Sequence, residues 1–297
     1  MNRYHKLSFL MAACVASFFA CDEIDAPKRI VEGESTPIYF TPDTLTTTID
    51  NEEFTFILEH KMLIEDYTGW QCVNCPVLAE YIETSITGVY PSIVVGLHMM
   101  NNTLSKNPWL SCTLADEYAA AASGQPASNL SLPCVDINRT GMISGDETTV
   151  RNTISSTTLN LHREYNLAGN RPLIALDINT HRFDDGSYEI STALRSETEW
   201  SDELYLQLWI IENGIVFKQY IEGGTNNNYI HNHVLRDAIN GIWGESIAPS
   251  FNGEDYTAVY RTNYSPDSKW VNDNCEVVAF VYEKTSRKVL NATKVAL

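Results

Sequence analysis

The chain has 297 residues, 44% of them hydrophobic, with 38 acidic against 20 basic side chains and a formal net charge of −18. An acidic excess of this size repels nucleic acid and anionic lipid headgroups, which excludes both as charge-driven partners. The length exceeds one ordinary domain and suits two, each able to bury its own core, and no internal repeat or low-complexity tract interrupts it.

The amino terminus sets the compartment. Residues 1–20, MNRYHKLSFLMAACVASFFA, place Arg3, His5 and Lys6 before an apolar stretch that ends just ahead of Cys21; this is the pattern of an export signal. The stretch is shorter than the roughly 20 residues a bilayer span requires. Ser17-Phe18-Phe19-Ala20-Cys21 resembles a bacterial lipobox, with a bulky Phe where smaller residues are commoner. The resemblance implies cleavage before Cys21, acyl chains on its sulfur and nitrogen, and a lipid anchor in the membrane; several chains at about 0.8 kcal/mol per buried methylene hold a protein there stably. Loss of Arg3 and Lys6 leaves 18 basic residues and a net charge of −20, so attachment must come from lipid. Residues 21–35 read as a tether, and Asp22-Glu23-Ile24-Asp25 resembles the sorting signal of some surface-exported lipoproteins. The expected location is the bacterial envelope, at the outer membrane, with surface exposure left open.

Five further cysteines follow: Cys72, Cys75, Cys112, Cys134 and Cys275. An exported protein meets oxidising conditions, and an odd number leaves one thiol over. A structural zinc site needs four ligands, and no second Cys-x-x-Cys or spaced His pair supplies them, so no metal and no cofactor is expected.

Residues 57–168 alternate buried strands with amphipathic helices. Met62-Leu63-Ile64 leads into Cys72, and after Pro76 the residues Val77, Leu78, Tyr81, Ile82 and Ile86 fall on one helical face. Gly88 and Pro91 stop that helix; Ile93–Leu97 is a continuous apolar run of the kind found in strands covered on both faces. A second helix fits Thr113–Ser123, a strand Leu130–Ile137 despite Pro133, and Ser144 with Glu147 has capping-box spacing for a third helix carrying Val150 and Ile154.

This β-α-β-α-β-α order, with Cys-x-x-Cys at a helix start, resembles the thioredoxin superfamily. Asp66 lies six residues before Cys72, Pro76 follows Cys75, and Leu132-Pro133 stands where the family carries a cis-proline. Gln71 replaces the usual Trp, Trp70 stands one earlier, and Val73-Asn74 replaces Gly-Pro. The resemblance implies that Cys72, at the helix amino end, is the attacking thiol and Cys75 the resolving one. Asp66 would carry the proton, and Pro133 would shape a substrate groove with Trp70, Gln71 and Leu132. A helix amino terminus favours thiolate over thiol, which is the physical reason for placing the nucleophile there. The family order also implies a Cys112–Cys134 disulfide, with Cys275 left over.

Residues 169–297 change character. Ile174, Leu176 and Ile178 alternate; Asp184-Asp185-Gly186 turns into Tyr188, Ile190 and Leu194; Leu204 to Ile210 alternate and Asn213-Gly214 turns into Ile215-Val216-Phe217. With runs at Tyr256–Tyr260, Glu276–Tyr282 and Lys288–Val295, about seven strands point to an antiparallel, immunoglobulin-like β-sandwich. His231 and His233, in Asn228–Glu245, lack a third ligand at defined spacing and read as backbone-bonded residues of a long loop; His98 reads as a satisfied strand-end residue.

The expected architecture is thus α/β plus all-β: signal peptide 1–20, lipidated tether 21–35, thioredoxin-like domain with an N-terminal strand extension 36–168, β-sandwich 169–297. The lipobox, LIEDYTGWQCVNCP, SLPCVDINR and NYIHNHVLR together resemble the family of outer membrane lipoproteins named after a 28-kDa member, which implies the same pairing of a thioredoxin-like domain with a β-sandwich. Two functions remain open. One is an envelope thiol–disulfide oxidoreductase acting on protein thiols and disulfides. The other is a surface binding or adhesion lipoprotein whose thioredoxin-like domain is not catalytic. A solvent-reachable Cys72 beside Pro133 favours the first; a buried pair, or a groove covered by the second half, favours the second.

Overall fold

The computed structural model describes residues 42–166 and 174–297. The signal peptide, Cys21, the tether, Ile38-Tyr39-Phe40 and the boundary expected at residues 168/169 lie outside these residues. Among the described residues no helix is long and apolar enough to cross a membrane.

The chain opens with a hairpin of β1 (Thr44–Ile49) and β2 (Glu52–Ile57), then runs β3 (Met62–Thr68), α1 (Cys75–Tyr81), β4 (Ser92–His98), α2 (Thr113–Ser123), β5 (Cys134–Ile137), β6 (Met142–Ile143) and α3 (Glu147–Asn166). The α1 helix widens into a π-helical segment over Ile82–Thr87, where Thr84 and Thr87 hydroxyls donate to the carbonyls of Glu80 and Glu83, four residues back. The α3 helix is capped by Asp146 and not by Ser144: the Asp146 carboxylate accepts from the Thr149 amide at 3.0 Å and the Thr149 hydroxyl at 2.6 Å. The strand expected from Leu130 begins only at Cys134, because Pro133 has no N–H to give to the ladder.

Apart from a short 3-10 turn at Asn272–Asn274, the regular elements of the remainder are strands: β7 (Ile174–Arg182), β8 (Tyr188–Ser196), β9 (Leu204–Glu212), β10 (Ile215–Ile221), β11 (Gly224–His231), β12 (Val234–Ala238), β13 (Glu245–Ile247), β14 (Ser250–Phe251), β15 (Tyr256–Tyr264), β16 (Cys275–Glu283) and β17 (Val289–Ala296). The segment Asn228–Glu245, expected as a loop, supplies the end of β11, β12 and the start of β13.

Nine strands form one large sheet in the order β17-β16-β9-β12-β4-β3-β5-β6, with β13 added on β9. Strand β12 lies between β4, to which it is parallel, and β9, to which it is antiparallel, and so joins the two halves of the chain in one sheet. The strands β3 and β4 are parallel, Asp66 opposite Gly96. A second sheet of β14-β15-β8-β7 stacks on β9 and β16.

Period-two alternation sends side chains to opposite faces of the large sheet. Leu63 and Tyr67 of β3, Trp209 of β9 and Phe280 of β16 pack on one face with Tyr118 of α2. Met62 and Ile64 face the other way, onto Leu78 and Ile82 of the first helix and Val150 and Ile154 of α3. Farther along that face, Leu206, Leu208 and Val277 meet Ile190 and Leu194 of the second sheet. Asp66, two residues after Ile64, therefore points under the helix that follows the cysteine pair.

Candidate functional site

Cys72 and Cys75 form a disulfide with Cα atoms 5.4 Å apart. The loop that carries them is fixed at both ends. The Cys72 amide bonds to the Gly69 carbonyl at 3.0 Å, and the Gln71 amide to the Leu104 carbonyl at 3.0 Å. Gly69 is required by space: a Cβ there would lie 2.5 Å from the Leu104 carbonyl oxygen. The helix begins at Cys75, with Asn74 as its cap and Pro76 in the first turn, where the missing proline N–H has no intrahelical role. Cys72 thus stands in the turn ahead of the helix and not at its first residue. Both cysteines are buried, Cys72 being 4% and Cys75 2% exposed.

The cover over Cys72 comes from the other half of the chain. The hairpin of β10 and β11 lies across the cysteine loop, and the Gln219 amide nitrogen donates to the carbonyls of Gly69 at 3.2 Å and Cys72 at 2.9 Å. The Tyr220 amide bonds to the Trp70 carbonyl at 2.8 Å. Trp70 meets Phe217 and Tyr220 edge-on, with centroids 5.8 and 5.3 Å away, and Lys218 places its ammonium 4.5 Å from the same ring. Trp70, expected to line an open substrate groove, instead seats this hairpin. Gln71 and Leu132 are half-buried, Leu132 against the core that holds Leu63 and Tyr67. The Leu132–Pro133 peptide is cis, and since Tyr67 pairs with Cys134, Pro133 falls at the end of β3 from which the cysteine loop departs.

Beneath the loop, a cavity of about 620 Å³ is lined by Asp66, Cys75, His98, Gln219, Tyr229 and His231 among others. Asp66 is 6% exposed and its Oδ1 has no hydrogen-bond partner. Burial alone raises its pKa to about 7, so the carboxyl is poised to gain or lose a proton near neutrality. The rings of His98 and His231 meet edge-on at 5.6 Å, and His98 Nδ1 and His231 Nε2 lack partners. Burial depresses both, His98 to about 3 and His231 to about 4, so both are neutral imidazoles. His98 ends β4, as the sequence suggests, and His231 ends β11 instead of lying in a loop; each keeps one ring nitrogen without a partner. His233 lies at the cavity edge with Nε2 3.9 Å from Glu83. Among the described residues no group of three His, Cys, Asp or Glu side chains is placed to hold a metal ion.

The expected Cys112–Cys134 bond is absent; Cys112, Cys134 and Cys275 are free thiols. Cys112 caps α2 with extended backbone and makes no side-chain capping hydrogen bond. Cys134 is fully buried in the core beneath α2. Burial pushes the Cys112 and Cys275 thiols up to about 11 and Cys134 higher still, so none is a nucleophile at neutral pH.

A family model described as outer membrane protein Omp28 matches residues 127–297. The match includes the Asn228–Arg236 segment and stops short of the cysteine pair. No curated protein matches the chain. Among solved structures, HBP35 of Porphyromonas gingivalis is similar in fold, with a TM-score of 0.62 and 13% identity over 81% of this chain and 76% of that one. A domain of the outer membrane lipoprotein Omp28 from Porphyromonas gingivalis is 25% identical over 42% of this chain and 88% of that one, with a TM-score of 0.28.

Proposed function

The chain belongs to the outer membrane protein Omp28 family, and from that premise we propose that it is a lipid-anchored thiol–disulfide exchange protein whose thioredoxin-like half keeps Cys72–Cys75 in a covered resting state. The family places the chain in the cell envelope at the outer membrane; the anchor on Cys21 and the redox role are parts of this proposal. The observation that carries it is Asp66. A buried carboxyl with an unpartnered oxygen costs a folded protein about 1–3 kcal/mol, and a permanent staple has no use for one. Beside Cys75, with a pKa of about 7, it has a use.

The oxidised pair accepts two electrons from a protein dithiol. A client thiolate attacks Cys72 Sγ, the Cys72–Cys75 bond breaks, and Cys75 leaves as a thiolate that takes the Asp66 proton. The second client thiol, deprotonated, attacks the mixed disulfide at the client sulfur. Cys72 leaves and is protonated from water, and the client departs with a disulfide. Two electrons and two protons have passed to the pair, and the reverse sequence reduces a disulfide. The hairpin must lift from Cys72 for either direction.

The burial of Cys72 under Gln219 favours a second reading, a binding lipoprotein with a fixed disulfide. Full-length Cys75→Ser expressed in cells separates the two: exchange predicts client proteins trapped on Cys72, absent in the Cys72→Ser variant. If nothing is trapped and the wild-type pair withstands millimolar dithiol reductant, the fixed-disulfide reading replaces ours. Lipid attachment is tested separately by labelled fatty acid, which should enter wild type and not Cys21→Ser.

A further inference from the structure

We propose that a second site, on the face of the large sheet opposite Asp66, binds a small organic carboxylate between the guanidinium groups of Arg139 and Arg287. It is independent of the cysteine chemistry. The cavity has a volume of about 210 Å³ and is lined by Glu65, Tyr118, Asp136, Arg139, Trp243 and Arg287 among others.

Arg139 is the core of the argument. Its side chain is 9% exposed, and Nε and Nη2 both lie 3.0 Å from Glu65 Oε1. Only Nε makes a hydrogen bond there; Nη1 and Nη2 are both buried without a hydrogen-bond partner. The rings of Tyr118, Trp209, Phe280 and Tyr282 surround the guanidinium, with centroids 5.0 to 5.7 Å away. Such rings hold a cation in place without satisfying its in-plane N–H groups. A buried guanidinium whose two terminal nitrogens lack hydrogen-bond acceptors has the unmet demand that a carboxylate satisfies.

The local charge agrees. Glu65 is neutralised by Arg139, and its other oxygen accepts from the Tyr67 hydroxyl at 3.2 Å. Asp136 is fully buried and accepts from the Gly141 amide at 3.1 Å; burial and the nearby Glu65 raise its pKa to about 7, so much of it is uncharged at neutral pH. Arg287 is then the uncompensated charge. Its guanidinium stacks 4.2 Å from the Trp243 ring centroid, and its backbone amide donates to the Glu283 carbonyl at 2.8 Å. Tyr118, Trp243, Ala121 and Ala122 give an apolar wall. That wall suits an organic acid better than an inorganic anion.

Calorimetric titration of the full-length protein in detergent tests the site, with acetate, benzoate, 3-phenylpropionate, benzamide and inorganic phosphate as probes. The expected result is saturable binding of benzoate or 3-phenylpropionate, weaker acetate and no benzamide signal. Arg287→Gln, at the solvent-exposed rim, should weaken the best acid at least tenfold, and Arg139→Gln should abolish binding if it folds. The proposal is overturned if no acid binds saturably, if benzamide binds as well as benzoate, if phosphate alone binds, or if Arg287→Gln retains full affinity.

Discussion

Gln219 donates a hydrogen bond to the carbonyl of Cys72, 147 residues away in sequence, at 2.9 Å. The same amide nitrogen reaches the Gly69 and Tyr220 carbonyls, so one side chain clasps the cysteine loop to the hairpin that covers it.

Removing that clasp should expose the pair. Gln219→Ala strips two loop carbonyls of their buried donor, a loss of about 1–2 kcal/mol, which corresponds to about 5–30-fold in the open population. Reduction of the Cys72–Cys75 bond by a small phosphine should accelerate by that factor in stopped-flow measurements. An unchanged rate means that the hairpin does not limit access.

Asp66 should give stability a recognisable pH dependence. Its pKa is about 7 in the folded chain against roughly 3.9 unfolded, so the native state holds a proton that the unfolded chain releases above about pH 4. The associated stability is complete below that pH and is lost as pH rises through 7. Asp66→Asn escapes this loss. Relative to wild type it should therefore gain on the order of 1–4 kcal/mol between pH 4 and pH 8, read by urea denaturation of the oxidised protein. An equal difference at both pH values contradicts the assignment.

The opposite sign belongs to His98 and His231. Burial holds both well below the ordinary histidine value, so the unfolded chain takes up protons below about pH 6.5 that the native cavity refuses. Stability from these two residues is present above that pH and fades as pH falls. His98→Gln together with His231→Gln should flatten the acid limb of a melting-temperature profile; a limb of unchanged steepness counts against neutral imidazoles.

How much of this was legible in the sequence depends on range. The Asp66-to-Cys72 spacing, the helical face of Leu78, Ile82 and Ile86, and the alternation of Leu204 to Ile210 are local patterns, and the local structure follows them. The hairpin over Cys72 was not legible: Ile215-Val216-Phe217 announce a strand, but nothing in that run says what the strand lies against. The contact between His98 and His231 was not legible for the same reason: it is made by the sheet and not by the neighbours of either residue. The Cys112–Cys134 pairing failed on geometry. The two residues share a core cluster, yet both remain free thiols, and nearness in a core does not by itself bring two sulfurs into bonding geometry. Arg139, buried among four rings, carries no sequence mark beyond its place at the end of SLPCVDINR.

Gly69→Ala should loosen the whole loop. The new Cβ meets backbone at Leu104 and Ser105, not a yielding side chain, so the Gln71–Leu104 hydrogen bond must stretch. The expected loss is about 1–3 kcal/mol, with faster amide exchange across residues 69–72; a variant as stable as wild type shows that the loop has slack.

The thiols can be counted. Iodoacetamide at pH 8 should label Cys112 slowly in the native protein, because it alone of the three is partly exposed, and reach Cys134 and Cys275 only in denaturant. A peptide map containing Cys112 linked to Cys134 overturns the free-thiol assignment.

The insertion of β12 between β4 and β9 also sets an order of events during synthesis. A chain emerging from its amino end makes β4 early, yet the partner that covers its free edge starts only at Val234, and β17 comes last of all. Until then β4 presents unpaired N–H and C=O groups, a template for pairing with another chain. Contacts this distant in sequence also close slowly. In a chain with this topology the edge of β4 stays exposed until residues 234–238 have been made.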